Sequence, residues 1–409
     1  PSLVDDGSAW ARHYWDVRHI GDDERRARIA RRHALAPTAR VADPLSATRA
    51  LTVLHATEAA TVYLALFARV DGLTVADVDR ALYEDRSLVK QLAMRRTLFA
   101  FPRDLLPAAW GSASARVAEQ EGRRVAKDAE FGGLADDGEA WLKEAREAVL
   151  GRLADGSALS AVTLREELPM LEGKVRLGSG KWEAEVSLAP RVLGVLGAEG
   201  LMVRGRNEGH WRVSRPAWTL MASWLGEPPE PLDAHQGYAE LVRRWLRTFG
   251  PGTETDIVWW LGATKTAVRR ALGDAGAVEV SLDDGGTGWV LADDLEPTDP
   301  EPPWAALLPV LDPTTMGWKQ RDFYLDPDHT PYLFDTNGNA GSTAWWDGRI
   351  VGCWVQDEDG VVKVVLREDP GAGARAALDV EAERLTAFLD GVRVNSVYTS
   401  LQMRSALLP

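Results

Sequence analysis

The stretch that decides the predicted fold is residues 186–214, Val-Ser-Leu-Ala-Pro-Arg-Val-Leu-Gly-Val-Leu-Gly-Ala-Glu-Gly-Leu-Met-Val-Arg-Gly-Arg-Asn-Glu-Gly-His-Trp-Arg-Val-Ser. Its apolar residues from Leu188 to Leu196 follow the spacing of one helix face, with Ser187 as a plausible N-cap. Two short apolar runs, 201–204 and 210–213, then flank a typical hairpin turn at 207–209. A short helix followed by a two-stranded ribbon is the ending of a winged helix, a unit that usually contacts nucleic acid. Some winged helices contact only protein, so both kinds of partner stay open here.

Length and composition predict a globular protein of several domains. A chain of 409 residues is too long to fold around a single hydrophobic core. Its content of 45% hydrophobic and 26% charged residues is typical of soluble proteins. No apolar run approaches the ~20 residues that span a bilayer, and the first 20 residues carry charges where a signal peptide is apolar. Cys353 is the single cysteine and the seven histidines are scattered. We expect a cytoplasmic, nucleoid-associated monomer without metal, cofactor or membrane contact.

The net charge of −14 argues against indiscriminate binding to nucleic acid, but it is unevenly distributed. Residues 296–409 contain 9 Lys and Arg against 18 Asp and Glu, whereas residues 141–215 contain 12 against 10. The acidic excess therefore lies mostly in the C-terminal part, which leaves room for a basic face upstream.

A basic helix is predicted near the start of the chain, over residues 22–34. It begins with acidic and ends with basic residues, an order that suits the helix dipole. Five arginines belong to it: Arg25, Arg26, Arg28, Arg31 and Arg32. They form either a solvated face or a surface for phosphate groups.

The helix–ribbon pattern occurs in two further places. The first unit is predicted from helices at 46–54, 61–70 and 74–82, a helical continuation at 88–92 and a strand at 95–101. The second adds helices at 141–153 and 159–168 to the deciding stretch. The third has helices at 238–249, 255–261 and 264–272 and a ribbon at 278–282 and 288–291 around Asp283-Asp284-Gly285-Gly286.

Strands dominate the C-terminal part. They are predicted at 307–311, 332–335, 344–347, 349–356 and 361–367, followed by a helix at 378–389 and a closing strand at 394–398. The predicted fold class is α+β, with three tandem winged-helix units followed by a small antiparallel β-barrel or sheet. The predicted divisions are 1–110 for the first unit with the basic helix, 111–137 for a helical connector, 138–231 for the second unit, 232–300 for the third unit and 301–409 for the β-domain.

Several stretches of the chain resemble a bacterial tandem winged-helix family that includes the AlkZ-type and YcaQ-type DNA glycosylases. They are Leu54-His55-Ala56-Thr57-Glu58, Tyr63-Leu64-Ala65-Leu66-Phe67-Ala68-Arg69, Arg95-Arg96-Thr97-Leu98-Phe99, Leu307-Leu308-Pro309 with Asp312-Pro313, and Phe334-Asp335 with Asp347-Gly348-Arg349. The resemblance implies removal of bulky or N7-alkylated purines from DNA. It also implies a Gln-apolar-Gln or Gln-apolar-Asp signature at residues 55–57, where this chain has His55-Ala56-Thr57. Both polar positions of the signature are therefore replaced.

The chemistry that the resemblance implies places modest demands on those residues. An N7-alkylated purine is already cationic, so the enzyme mainly stabilises an oxocarbenium-like sugar and positions water. Neutral His55 would act as the base or as the oxocarbenium stabiliser, and Thr57 would hold the water. In an extended segment both side chains point the same way and Glu58 points to the other face. The alternative is structural, with His55 capping a helix and Thr57 starting the next.

The candidate DNA contacts are basic residues on the predicted helices and ribbons, which would contact phosphate groups without recognising sequence. They are Arg95, Arg96, Lys181, Arg191, Arg204, Arg206, Lys265, Arg269 and Arg270. Each of them is otherwise a solvated surface charge. Trp182, Trp211 and Trp289 could stack on bases, although aromatic residues near ribbons more often belong to the core.

The leading hypothesis is a monofunctional glycosylase that acts on alkylated purines in double-stranded DNA. A second is a DNA-binding regulator or damage sensor that has lost catalysis, since both signature residues differ. A third is a winged-helix array that binds only protein, which the net acidity favours. Loss of base release on changing His55 distinguishes the first from the second, and salt-dependent DNA binding distinguishes both from the third.

Overall fold

The N-terminal region combines short helices with a three-stranded sheet. The structure is a computed structural model, which describes residues 17–177 and 184–406. The elements of this region are α1 Asp22–Arg32, α2 Pro44–Ala50, β1 Leu54–His55, α3 Ala59–Phe67, α4 Val75–Asp79, β2 Leu88–Leu92 and β3 Leu98–Pro102. The strands lie antiparallel in the order β1-β3-β2.

The prediction that residues 88–92 continue a helix is wrong, because they form β2. Val89 pairs with Phe101 and Gln91 with Phe99, so tertiary pairing decides a segment whose composition also suits a helix. The predicted strand at 95–101 begins only at Leu98. Arg95 and Arg96 instead form a tight turn between β2 and β3, with φ of 54° and 58°.

The arginines of α1 are structural. Arg28 is 2% exposed and bonds to Glu24 and Asp294, while Arg32 donates to both Asp294 carboxylate oxygens at 2.7 and 2.8 Å. Arg25 lies over the Phe323 ring at 3.5 Å. Arg25, Arg28 and Arg32 form neither a solvated face nor a phosphate surface, because each is largely buried and contacts a residue far along the chain. Arg31 is half-exposed and pairs with Glu301.

The middle region has its own core, built mainly from residues between Val125 and Trp218. Its elements are α5 Leu106–Ala109, α6 Ala115–Phe131, α7 Gly138–Arg152, α8 Ala161–Glu167, β4 Lys174–Leu177, β5 Ala184–Ser187, α9 Ala189–Ala198, β6 Met202–Asn207, β7 Pro216–Leu220 and α10 Met221–Leu225. The antiparallel pair β4–β5 was not predicted. Leu188, one residue after the predicted cap Ser187, is the N-cap of α9.

The ribbon after α9 is longer than predicted. β6 pairs with β7 through Met202↔Leu220, Val203↔Thr219 and Arg204↔Trp218, so residues 210–213 belong to the loop at 208–215. Pro216, which the sequence suggests as a boundary, is the first residue of β7. That position suits proline because the first residue of a strand need not donate a ladder hydrogen bond.

The third helix–ribbon region and the C-terminal region share one continuous core with the N-terminal sheet. The elements are α11 Ala234–Phe249, α12 Glu254–Leu261, α13 Lys265–Asp274, β8 Ala277–Ser281, β9 Thr287–Leu291, β10 Ala305–Leu308, α14 Thr330–Leu333, β11 Thr343–Trp346, β12 Arg349–Gln356, β13 Val362–Leu366, α15 Ala372–Leu389 and α16 Leu401–Ala406. The last four strands form an antiparallel sheet in chain order. Residues 332–335 are not the expected strand, since α14 covers part of them, and 394–398 form no strand.

A buried ion pair joins the N-terminal and C-terminal parts of the shared core. Arg69, two residues after the end of α3, donates to both carboxylate oxygens of Asp312 at 2.7 and 2.9 Å, and both side chains are fully buried. Arg69 also donates to Thr314 Oγ1, which lies 2.8 Å from His33 Nδ1. Burial, followed by the charge of Arg69, lowers the pKa of His33 to about 3, so this imidazole is neutral.

The predicted α+β class with small antiparallel sheets is confirmed, while the count of three winged-helix units stays a prediction. Within the described ranges no helix is both long enough and apolar enough to cross a bilayer.

Candidate active site and nucleic-acid interface

His55 lies at the end of β1 inside an apolar environment. It pairs with Phe99 of β3, the two rings are 4.6 Å apart, and only 4% of the residue is exposed. Its Nδ1 is buried without a hydrogen-bond partner. Burial, with a smaller effect from the positive charge of Arg95, lowers the pKa of His55 well below its usual value. The imidazole is therefore neutral at pH 7 and has an unsatisfied nitrogen.

A cationic and aromatic wall lies beside His55. The Arg95 guanidinium stacks over Trp259 at 4.1 Å, and Arg321 lies over Phe334 at 4.3 Å and over Trp259 at 5.3 Å. Burial and then the charge of Arg321 lower the pKa of Arg95 to about 10. Arg95 and Arg96 both have positive φ, a conformation that costs free energy and is concentrated at functional sites.

Thr57 and Glu58 leave the sheet and lead into α3. Thr57 is exposed, whereas His55 is buried, and no hydrogen bond joins the two side chains in the described part of the chain. The predicted parallel orientation fails because the strand ends at His55 and the chain bends at 57 and 58. Glu58 is the N-cap of α3 and accepts hydrogen bonds from Ser396 Oγ and Val397 N, both at 2.9 Å. The structural alternative that Thr57 starts this helix is therefore also wrong.

The predicted DNA contacts in the middle region have different surroundings. Arg191 on α9 is half-buried and bonds to Asp128 at 2.6 Å. Arg204 on β6 lies over the Trp218 ring at 5.1 Å, and burial lowers its pKa. Arg206 is exposed and forms no ion pair with the described residues. Lys181 lies outside the described residues, as does Trp182.

The remaining predicted contacts are mostly neutralised. Arg96 bonds to Glu121 at 3.2 Å. On α13, Arg269 pairs with Glu254 at 2.6 Å and Arg270 with Asp274 at 3.6 Å, while Lys265 is exposed. The structure thus brings Arg95 close to His55, but it distributes the other cations over separate surfaces.

Two further cations at the β6–β7 ribbon were not among the residues predicted from the sequence. Arg212 and Arg215 lie in the exposed loop at 208–215 and form no ion pair with the described residues. Trp211 of the same loop is half-buried, with its ring 5.2 Å from the Tyr63 ring. These residues were missed because the second strand was predicted at 210–213. The loop was therefore expected to be only three residues long.

Lys90 on β2 was also missed and lies near this ribbon. It donates to the Tyr83 hydroxyl at 2.8 Å. Burial and then the charge of Arg204 lower the pKa of Lys90 to about 8, although the charge of Asp79 opposes this. We refer to Arg204, Arg206, Arg212 and Arg215 as the basic ribbon. Among the described residues no group of three or more His, Cys, Asp or Glu is arranged to hold a metal ion.

Comparison with known proteins places the chain in a family. A sequence model of the family described as DNA glycosylase AlkZ-like matches residues 48–388. The chain belongs to the AlkZ-like DNA glycosylase family. The matched range contains His55, Arg95 and the basic ribbon, so both the candidate active site and the candidate interface lie inside the family region.

A solved structure agrees with this assignment in fold. The Streptomyces sahachiroi DNA glycosylase AlkZ superposes with a TM-score of 0.71 at 21% sequence identity, covering 92% of this chain and 98% of that one. A search of curated protein sequences gives no match. Family membership indicates a protein related to DNA-repair glycosylases and implies DNA as the partner.

Proposed function

We propose that the protein is a monomeric, monofunctional DNA glycosylase that hydrolyses the N-glycosidic bond of N7-alkylated purines in double-stranded DNA. The observation that carries this proposal is the state of His55. It is neutral because it is buried, it has a buried nitrogen without a partner among the described residues, and the resemblance implies the family signature at this position. Leaving such a nitrogen unsatisfied costs about 1–3 kcal/mol, which a bound water would recover.

The reaction needs little from the protein beyond positioning. Water oxygen bonds to C1′ as the C1′–N9 bond breaks, and the bonding electron pair neutralises the cationic purine. His55 accepts the proton of the attacking water and passes it to solvent, and Thr57, which is exposed, must turn toward His55 to hold the same water. The products are the free alkylpurine and an abasic sugar with a C1′ hydroxyl group, so atoms and charge balance.

In this proposal the basic ribbon binds the phosphate groups of the duplex. Residues 202–220 contain these four arginines and a single acidic residue, Glu208. Phosphate contacts of this kind position a protein without selecting a sequence, which suits an enzyme that searches for lesions.

The test is base release from a duplex containing N7-methylguanine. His55→Ala should slow release at least 100-fold, since a positioned general base contributes about 10²–10⁴-fold. The matched control is His329→Ala, because His329 is also buried and also has an unpartnered Nδ1. It should retain release within threefold. A His55→Ala protein that folds normally and releases base at the wild-type rate would remove His55 from the mechanism.

A second function is favoured by the separation of Thr57 from His55, together with the replacement of both signature positions that the resemblance implies. Under this alternative the protein binds DNA in a regulatory or damage-sensing role and does not hydrolyse the N-glycosidic bond. Salt-dependent duplex binding without release of either methyl or bulky N7 adducts would favour it. Absence of salt-dependent binding would instead favour an array that contacts only protein.

A further inference from the structure

Two arginines in the wall beside His55 lack a carboxylate partner. Arg95 lies in the turn between β2 and β3, and Arg321 lies in the segment between β10 and α14. Neither forms an ion pair with the described residues, although Arg96, the next residue in the same turn, pairs with Glu121 at 3.2 Å. The turn therefore carries one neutralised cation and one free cation, and the free one is close to His55.

Aromatic rings hold both guanidinium groups in place. Arg95 and Arg321 share the Trp259 ring, at 4.1 and 5.3 Å from its centre. Arg321 also lies over the Phe334 ring at 4.3 Å. Stacking uses the flat face of a guanidinium group and leaves the N–H groups at its edge for an acceptor. Both arginines and Trp259 are partly exposed, so such an acceptor can reach them from solvent.

The structure supplies no charged acceptor for these N–H groups within the described ranges. The side chain of Arg95 donates no hydrogen bond there, and its Nε is buried without a partner. Arg321 donates from Nε to Trp318 O at 3.0 Å and also interacts with the Tyr324 hydroxyl group, but both acceptors are neutral. A buried donor without an acceptor is destabilising, and more so when it carries charge.

The pair is also electrostatically unfavourable in the absence of an anion. Burial and then the charge of Arg321 lower the pKa of Arg95 to about 10, so Arg95 is still protonated at pH 7 and repels Arg321. The proposed reaction develops positive charge on a sugar beside His55, and two uncompensated cations there would raise its barrier. A bound anion would cancel one of the two charges and satisfy the free N–H groups.

We propose that Arg95 and Arg321 together bind one phosphodiester group of the DNA strand that carries the lesion. The inference rests on the proposed function and names the contact that places the reacting nucleotide beside His55. Guanidinium groups suit this ligand because their planar edge binds two phosphate oxygens at once. The phosphates that flank a nucleotide are attached to the same sugar as its base, so holding one of them positions the glycosidic bond. Arg95 and Arg321 are thus positioning residues.

The test is binding of the full chain to a duplex with one tetrahydrofuran abasic analogue, measured by fluorescence anisotropy at constant salt. Single neutral methylphosphonates replace the phosphates on either side of the analogue in turn. At one position this should weaken wild-type binding about 10-fold or more, as expected for loss of charge-assisted hydrogen bonds. Arg321→Gln should weaken binding to the unmodified duplex by a similar factor and respond less than about twofold to methylphosphonate at that position. Arg375→Gln changes an exposed arginine that already pairs with Asp369, and it should respond as wild type does.

A second variant covers the case in which Arg321→Gln does not fold. Arg95→Gln removes the other guanidinium group and should lose the sensitivity to methylphosphonate at the same phosphate. A variant of the basic ribbon with Arg206, Arg212 and Arg215 changed to alanine should keep that sensitivity, although its overall affinity is lower. This comparison separates the contact at the lesion from general binding to the duplex.

The proposal is overturned if no methylphosphonate beside the analogue weakens wild-type binding, or if the effect is equal in wild type and both glutamine variants. Inorganic phosphate at constant ionic strength is the second probe. If it binds wild type and not the variants, while their duplex binding is unchanged, the pair binds a small anion and not DNA. Base release from N7-methylguanine duplex without any methylphosphonate effect rejects the phosphate contact alone. The expected methylphosphonate effects without base release reject the glycosylase function alone.

Discussion

The two ribbons that follow short helices, β6–β7 and β8–β9, have the same topology and opposite chemistry. Residues 202–220 contain four arginines and Glu208, whereas residues 277–291 contain Glu279, Asp283 and Asp284 and no lysine or arginine. The loop of the first ribbon is largely exposed. The second ribbon is covered by the segment that precedes α1.

That cover consists of several specific bonds. Ile20 N donates to Ser281 O at 2.9 Å, and Ser281 N donates to Arg18 O at 3.0 Å. Asp283 accepts from Asp22 N at 2.7 Å and lies 2.9 Å from His19 Nε2. The acidic turn therefore serves as a cap and anchor for the start of α1. A helix–ribbon pattern in a sequence thus does not indicate a DNA contact until the charge and the packing of the ribbon are known.

Removing charge from the basic ribbon should have the largest effect on duplex binding. Changing Arg206, Arg212 and Arg215 together to alanine should reduce the salt slope of duplex binding by about 2.7, at ~0.9 for each phosphate contact. Affinity at low salt should fall by on the order of 100-fold. Fluorescence anisotropy between 50 and 200 mM salt measures both. If the salt slope changes by less than ~0.5, this ribbon does not contact the DNA phosphates.

The same number of charges removed from α13 should matter less. Because Arg269 and Arg270 have carboxylate partners, changing Lys265, Arg269 and Arg270 to alanine should lower the slope by less than ~1 and affinity by less than about 10-fold. The same titration measures it. An effect equal to that of the first triple variant would mean that both helix–ribbon regions contact DNA.

Loosening the anchor at the second ribbon should affect stability and not binding. Asp283→Ala removes an acceptor from Asp22 N and His19, and we expect a loss of about 1 kcal/mol in the free energy of unfolding, since Asp283 is exposed. Urea unfolding measures this loss, and duplex affinity should stay within twofold. A large change in affinity would show that this ribbon takes part in binding.

Acid should weaken the same anchor slightly. The hydrogen bond from Asp22 N, and then that from His19, lower the pKa of Asp283 below 3.8. A depressed carboxylate pKa stabilises the fold above the unfolded value, and this stabilisation is lost as pH falls through the folded pKa. Below about pH 4, the protection factor of the Ile20 amide, which is its intrinsic exchange rate divided by its observed rate, should therefore fall. Asp283→Asn should remove this pH dependence; if the fall persists in the variant, another group is responsible.

The sequence predicted the third helix–ribbon region well because its signals are local. Thr264 caps α13, and the Asp-Asp-Gly-Gly turn separates β8 from β9. β2 was missed because its pairing with β3 is tertiary, and β7 was missed because a proline at the start of a strand resembles a boundary. The arginines of α1 were misjudged because Asp294, the partner of Arg28 and Arg32, lies far along the chain.

The position of the candidate site stays a prediction from the resemblance, and its local structure could not be predicted from the sequence. The resemblance indicated residues 55–57. The burial of His55 against Phe99 depends on the pairing of β1 with β3, and Thr57 lies outside the sheet because β1 ends at His55. The bonds that hold Glu58 come from Ser396 and Val397, more than 330 positions away. No spacing rule within a single sequence reports such contacts.

The buried pair of Arg69 and Asp312 has a consequence for synthesis. The two residues are 243 positions apart, and a buried charge without its partner is strongly destabilising. At about 5–20 residues per second, the ribosome completes Asp312 roughly 12–50 s after Arg69. During that interval the N-terminal sheet cannot adopt its final packing, and its apolar surface is open to chaperones and proteases. Maturation of the half that carries His55 therefore waits for the half that carries Asp312.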